Sequence, residues 1–125
     1  MVDRGRGEEG VDKGRDPLSQ LRRGLVEYCV LAVLRGGEAY GFELVRTLSE
    51  NGGLITSEGT IYPLLSRLRK DSLVETTWRE SDSGPPRRYY SLTSAGEAAL
   101  DAFVPDWVRF RESIDGLLMA GRGRR

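Results

Sequence analysis

Between residues 57 and 117 the apolar residues change period twice, and that alternation leaves few architectures open. Ile61, Leu64, Leu65 and Leu68 stand at i, i+3, i+4 and i+7, the single buried stripe of a helix that Ser57 caps and that ends near Asp71. Residues 73–79 and 87–92 are rich in β-branched and aromatic side chains and predict two strands. The polar stretch 80–86, with Gly84, Pro85 and Pro86, joins them into a projecting hairpin. Thr93 then caps a long last helix, in which Leu100, Phe103, Trp107, Phe110, Ile114 and Leu117 recur at alternating intervals of three and four. That is the spacing of a helix lying along a partner helix, so these six residues predict a dimer seam. Two prolines predict irregularities. Pro63 removes the hydrogen bond to the Gly59 carbonyl and kinks the start of its helix, and Pro105 bends or splits the last one.

Two more helices precede this segment. Ser19 reads as an N-cap, with Leu21, Leu25, Cys29 and Ala32 following at helical spacing. Residues 28–34 are apolar on every side, so this helix is buried on more than one face, and in so small a domain one face meets a partner chain. Gly36-Gly37 ends it. A second helix over 40–50 turns Leu44, Val45 and Leu48 inward and stops at Asn51-Gly52-Gly53. Residues 54–56 are long enough only for a small edge strand. Residues 1–17 hold four glycines and nine charges and read as a flexible arm, and 119–125 as a frayed tail. The fold class is mainly α with a small β-hairpin: a winged helix-turn-helix over 18–93 with a dimerisation helix over 94–118.

Composition removes most chemistry. The chain has 19 basic and 19 acidic residues, so a grossly basic nucleic-acid coat is excluded, though a local patch is not. Half of the basic residues between 18 and 121 fall in the third helix and the hairpin: Arg67, Arg69, Lys70, Arg79, Arg87 and Arg88. There is no histidine and one cysteine, which excludes histidine-based catalysis, imidazole zinc sites and an internal disulfide. Cys29 is either an inert buried thiol or a redox sensor. Ser57-Glu58-Gly59 is no nucleophile elbow, and the glycine-rich ends lack the Lys-Ser/Thr of a phosphate loop. The chain is read as no enzyme and as needing no cofactor. The longest apolar run is far too short to span a bilayer and the start resembles no signal peptide, so the expected location is the cytoplasm.

Several stretches, taken in order, resemble the PadR-like transcriptional regulators. They are Ala39-Tyr40-Gly41-Phe42-Glu43-Leu44, then Ser57-Glu58-Gly59-Thr60-Ile61-Tyr62-Pro63-Leu64-Leu65 with Arg67-Leu68, then Ser72-Leu73-Val74. Trp78-Arg79-Glu80-Ser81, Gly84-Pro85-Pro86-Arg87-Arg88-Tyr89-Tyr90-Ser91-Leu92-Thr93 and Gly96 complete the set. Ser72 stands where a glycine is common in that family. The single helix after the hairpin resembles the family's shorter branch. The resemblance also implies that a tryptophan on the last helix, here Trp107 with Phe103 and Phe110 a turn away, lines an apolar cleft at the dimer centre that takes a planar aromatic ligand.

The outward face of the third helix is either an ordinary solvated face or a recognition helix seated in the major groove. On the second reading the residues expected on DNA are Tyr40, Ser57, Glu58, Thr60, Tyr62, Ser66, Arg67 and Lys70. Arg87 and Arg88 of the hairpin either decorate a charged turn or follow phosphates as a wing. The expected function is a homodimeric, sequence-specific repressor of a double-stranded DNA operator, released by a planar small molecule. The alternative is a winged-helix module that binds another protein and no DNA.

Overall fold

In a computed structural model of the chain, which describes residues 17–55 and 57–123, seven elements follow one another. They are α1 (Pro17–Arg35), β1 (Ala39–Tyr40), α2 (Gly41–Glu50), α3 (Glu58–Lys70), β2 (Val74–Ser81), β3 (Gly84–Leu92) and α4 (Ser94–Gly123). The expected order of helices, hairpin and long last helix is the observed one. Of the arm expected over 1–17, all but Pro17 lies outside the described residues.

Helix α1 turns Val26, Val30, Leu31 and Leu34 into the core. It is already helical at Pro17, a residue suited to a first helical turn, so Ser19 lies inside the helix and does not cap it. Gly36 and Gly37 close it by donating to the Val33 and Leu34 carbonyls, and Gly37 takes a φ of 144°, open to glycine almost alone. The chain then forms β1, a strand the sequence did not announce. Its two residues pair antiparallel with β3, Ala39 with Tyr90 and Tyr40 with Tyr89, and make the sheet order β1-β3-β2.

The edge strand expected over 54–56 is absent at Leu54 and Ile55, and Thr56 lies outside the described residues. The Leu54 amide donates back to the Leu48 carbonyl at 3.1 Å, and Ile55 is buried in the core. Both are spent on sealing the end of α2.

Helix α3 buries Ile61, Leu64, Leu65 and Leu68, the expected stripe. It runs unbroken through Pro63. Pro63 is exposed, so the acceptor it leaves unused lies on the wet side of the first turns. The start of the helix is tightened: Thr60 N–H donates to the Ser57 carbonyl at 3.2 Å. Ser57 sits at the N-cap position, but its hydroxyl lies 3.3 Å from Thr60 Oγ1 and caps no backbone amide. After α3, Ser72 adopts a φ of 62°, which explains a preference for glycine there and costs serine about 1–2 kcal/mol.

The hairpin is longer than expected. Val74 to Arg79 pair with Leu92 to Arg87, the register slips between Arg79 and Ser81, and Ser81 pairs with Gly84. Most of the supposed turn is therefore strand. Pro85 and Pro86 are tolerated because β1 flanks β3 only at Tyr89 and Tyr90, which leaves the tip with a free edge.

Thr93 caps α4 as expected. Its Oγ1 accepts from Gly96 N–H at 2.9 Å and donates to the Ser72 carbonyl at 2.7 Å, tying the last helix to the end of α3. Pro105 does not split α4, and the helix continues through 119–123, where a frayed tail was expected. Leu100 is 3% exposed and belongs to the core of its own chain, so it is not a seam residue. The reason is that the first three turns of α4 pack against α1, with Phe103 stacked on Tyr28 and Arg35 paired with Asp101. From Arg109 to Ala120 every residue of α4 is exposed.

Candidate nucleic-acid interface

Helix α3 presents Glu58, Thr60, Tyr62, Ser66, Arg67, Arg69 and Lys70 outward, and Ser57 at its cap is exposed as well. This face and the hairpin do not stand apart. They meet the start of α2 in an open cleft of about 370 Å³ lined by Tyr40, Gly41, Tyr62, Trp78, Pro86, Arg87, Arg88 and Tyr90. The structure thus brings together Tyr40, Tyr62, Arg87 and Arg88 of the expected set. Ser66 and Lys70 lie apart, with Arg69, around a shallow depression near the far end of α3.

Gly41 makes the first join. The Tyr62 ring and hydroxyl fill the space where a Cβ on Gly41 would stand, so α3 and α2 approach through the one residue type that permits it. Packing against α2 has a second effect. Burial, with smaller contributions from Glu58 and Tyr90, raises the Tyr62 hydroxyl above the ordinary tyrosine range and keeps it a neutral donor.

The wing arginines are held by aromatic faces. The Arg87 guanidinium lies 4.4 Å from the Tyr40 ring centroid, and that of Arg88 lies 4.9 Å from Trp78. Four other arginines are paired with carboxylates. Arg67 donates to Glu27 of α1 at 2.8 Å, Arg79 pairs with Glu38 at 2.6 Å, and Arg35 and Arg109 have carboxylate partners too. Among the described residues, neither Arg87 nor Arg88 has a carboxylate partner. Arg67, one of the residues expected on DNA, is anchored to the first helix.

Sequence reasoning missed Trp78 and Gly41 as members of the cleft. The signal for Trp78 was present: pairing residue 79 with 87 places 78 opposite 88. Nothing local signals Gly41, since its neighbour Tyr62 comes from another helix. Of the two tyrosines in the wing strand, Tyr90 is core and Tyr89 half-buried.

A second surface lies along α4. Phe103, Trp107 and Phe110 form one row, with centroid separations of 6.3 and 6.2 Å. Tyr28 of α1 extends it, at 3.8 Å from Phe103, and was not anticipated. Beyond the row Ile114 and Leu117 are exposed, Leu117 at 75%, together with Leu118 and Met119, which the regular spacing had not included. Leu18 and Leu21 of α1 are also exposed and border a small apolar cleft with Leu25 and Leu54. Cys29 is half-buried, and burial pushes its thiol above the usual range, which makes it a poor nucleophile. No helix among the described residues is long and apolar enough to cross a membrane.

Comparison with known proteins agrees with this geometry. The family model for the transcriptional regulator PadR-like family matches residues 30–102, from α1 into α4. The transcriptional regulator Rv3488 of Mycobacterium tuberculosis is 37% identical over 83 residues, 66% of this chain and 76% of its own length. Among solved structures, a PadR-like transcriptional regulator from Bacillus cereus is 38% identical with a TM-score of 0.73, covering 79% of this chain and 96% of its own. A PadR family regulator from Eggerthella lenta is 32% identical with a TM-score of 0.76, covering 89% and 96%.

Proposed function

Because this chain belongs to the PadR-like family of transcriptional regulators, we propose that it works as a homodimeric repressor that recognises a double-stranded DNA operator. Its family and relatives are transcriptional regulators and not enzymes. On this reading residues 18–93 are the DNA-binding unit and the last helix is the dimerisation element.

The observation that carries the reading is the wing. Arg87 and Arg88 are free of carboxylates and stand beside the exposed face of α3, while Arg67 of α3 and Arg79 of the same hairpin are paired. Unpaired cations next to an exposed polar helix suit a phosphate backbone whose groove receives that helix. Thr60 and Ser66 then face base edges, Tyr62 meets the backbone from the cleft, Lys70 and the wing follow phosphates, and Arg67 reads a base once it leaves Glu27. The bare apolar end of α4 supports a twofold dimer, because a monomer leaves that surface wet.

A mobility-shift titration on DNA from upstream of the protein's own gene tests the proposal. With three or four phosphates neutralised per subunit, log K falls against log salt with a slope of about −5 to −7. A salt-independent affinity, or equal affinity for a scrambled duplex, favours the protein-binding alternative.

The aromatic row supports release by a planar ligand. A flat apolar molecule between Trp107 and its twofold mate changes the angle between subunits and so the spacing of the two recognition helices, which must match grooves about 34 Å apart. Release follows only if the ligand prefers the form that DNA does not, and a coupling of about 1–3 kcal/mol weakens operator binding about 5- to 150-fold. Planar dyes that quench the parent and not Trp107→Ala, and that also weaken operator binding, meet this expectation.

A further inference from the structure

The cleft between wing and α2 does more than gather charged residues, and we infer that it is a clamp for one phosphodiester of the DNA backbone per subunit, in which Trp78 positions Arg88. The inference rests on the DNA-binding reading and assigns a role to a residue that reading does not use.

Four observations carry it. First, the residues that line the cleft include two arginines and three tyrosines and no acidic residue, so its charge complements an anion. Second, one end is bounded by Gly41, the first residue of a ten-residue helix, whose partial positive charge is shared with Glu43, the acceptor of the Tyr40 amide. Third, Trp78 is 60% exposed, although a solvent-facing tryptophan in a strand contributes little to a core. The Trp78 ring serves instead as a platform: register pairs it with Arg88, whose guanidinium lies over it at 4.9 Å. Fourth, Arg88 Nε is shut from solvent without an acceptor among the described residues, while Arg88 as a whole is only partly buried. The side chain is therefore held by stacking and not by a hydrogen-bonded partner.

The physical consequence is preorganisation. An arginine on a bare strand loses its rotamer freedom when it meets a phosphate. An arginine already laid on an indole has lost much of it before binding. Stacking leaves the charge in place and competes for no hydrogen bond, unlike the carboxylates that hold Arg67 and Arg79. Arg87 on Tyr40 repeats the device on the neighbouring residue. Trp78 is thus a positioning residue, and Arg88 is the group that meets the phosphate.

The two roles move different quantities. Removing a phosphate-binding cation lowers the salt slope, whereas removing its platform lowers affinity and leaves the charge count unchanged. The experiment measures binding of the full chain to the upstream duplex over a salt series, for the parent, Arg88→Ala, Trp78→Ala and Trp78→Phe. Arg88→Ala is expected to make the slope shallower by about 2, one phosphate in each subunit of the dimer. Trp78→Ala is expected to weaken binding about 5- to 150-fold, from two side chains no longer held, at the parent slope. Trp78→Phe, which keeps a ring under the cation, is expected to recover most of that loss. Thermal unfolding of each variant controls for folding, and Trp78→Phe keeps the comparison if Trp78→Ala is unstable. Parent-like binding by Trp78→Ala, a parent slope in Arg88→Ala, or a Trp78→Phe no tighter than Trp78→Ala overturns the clamp. A parent that binds DNA without salt dependence instead overturns the DNA reading itself, and the clamp with it.

Discussion

The rings of Tyr28 and Phe103 lie parallel, 4° apart in plane and 3.8 Å between centroids. This stack ties α1 to α4 ahead of the point where α4 leaves the domain. Double-mutant analysis with Tyr28→Ala and Phe103→Ala in urea should return a coupling of about 0.5–1.5 kcal/mol, beyond the loss of buried area. Strict additivity would mean the rings are neighbours without mutual stabilisation.

Leu100 and the outer seam residues should separate cleanly. Leu100→Asp places an unpaired charge in the monomer core and should unfold the chain. Ile114→Asp with Leu117→Asp touches only exposed positions, so the chain should stay folded and become monomeric by light scattering. A folded dimer in the double variant would place the interface elsewhere.

Two glycines should respond unequally to alanine. At Gly41 the new methyl group meets the far end of the Tyr62 side chain, which can swing aside at a cost of about 1 kcal/mol. At Gly96 it meets the Leu73 carbonyl and Leu92 Cδ1, and the backbone cannot yield in the same way. Gly96→Ala should lose about 3 kcal/mol or more. Denaturant midpoints give the order, and Tyr62→Ala should rescue Gly41→Ala alone.

On the DNA-binding reading, Glu27 competes with DNA for Arg67. The pair is more than half exposed on the arginine side and contributes at most about 1 kcal/mol to folding. Glu27→Gln should therefore leave stability nearly unchanged and tighten operator binding by up to about 5-fold, because Arg67 no longer has to be released. Weaker binding by Glu27→Gln would show that the pair aims Arg67 and does not restrain it.

The sequence by itself determined the four helices and the hairpin. The stripe Ile61, Leu64, Leu65 and Leu68 is buried as its period requires, and Thr93 caps α4 because its hydroxyl reaches an amide three residues on. These are local matters, settled within one or two turns of chain. Pro63 and Pro105 do not break their helices, since a single exposed acceptor left without its donor is solvated more cheaply than a helix is broken.

Tertiary structure decided what those elements do to each other. Ala39 and Tyr40 become a strand only because Tyr89 and Tyr90 arrive beside them. Leu100 obeys the same spacing as Ile114, yet it is core because α1 covers the first turns of α4 and nothing in the chain covers the rest. Arg67 and Arg88 look alike in sequence, but one meets Glu27 and the other Trp78, and that difference in partner separates a restrained cation from a displayed one. Periodicity specifies which face of an element is apolar, whereas the neighbour that the face meets is fixed by contacts between residues far apart in the chain.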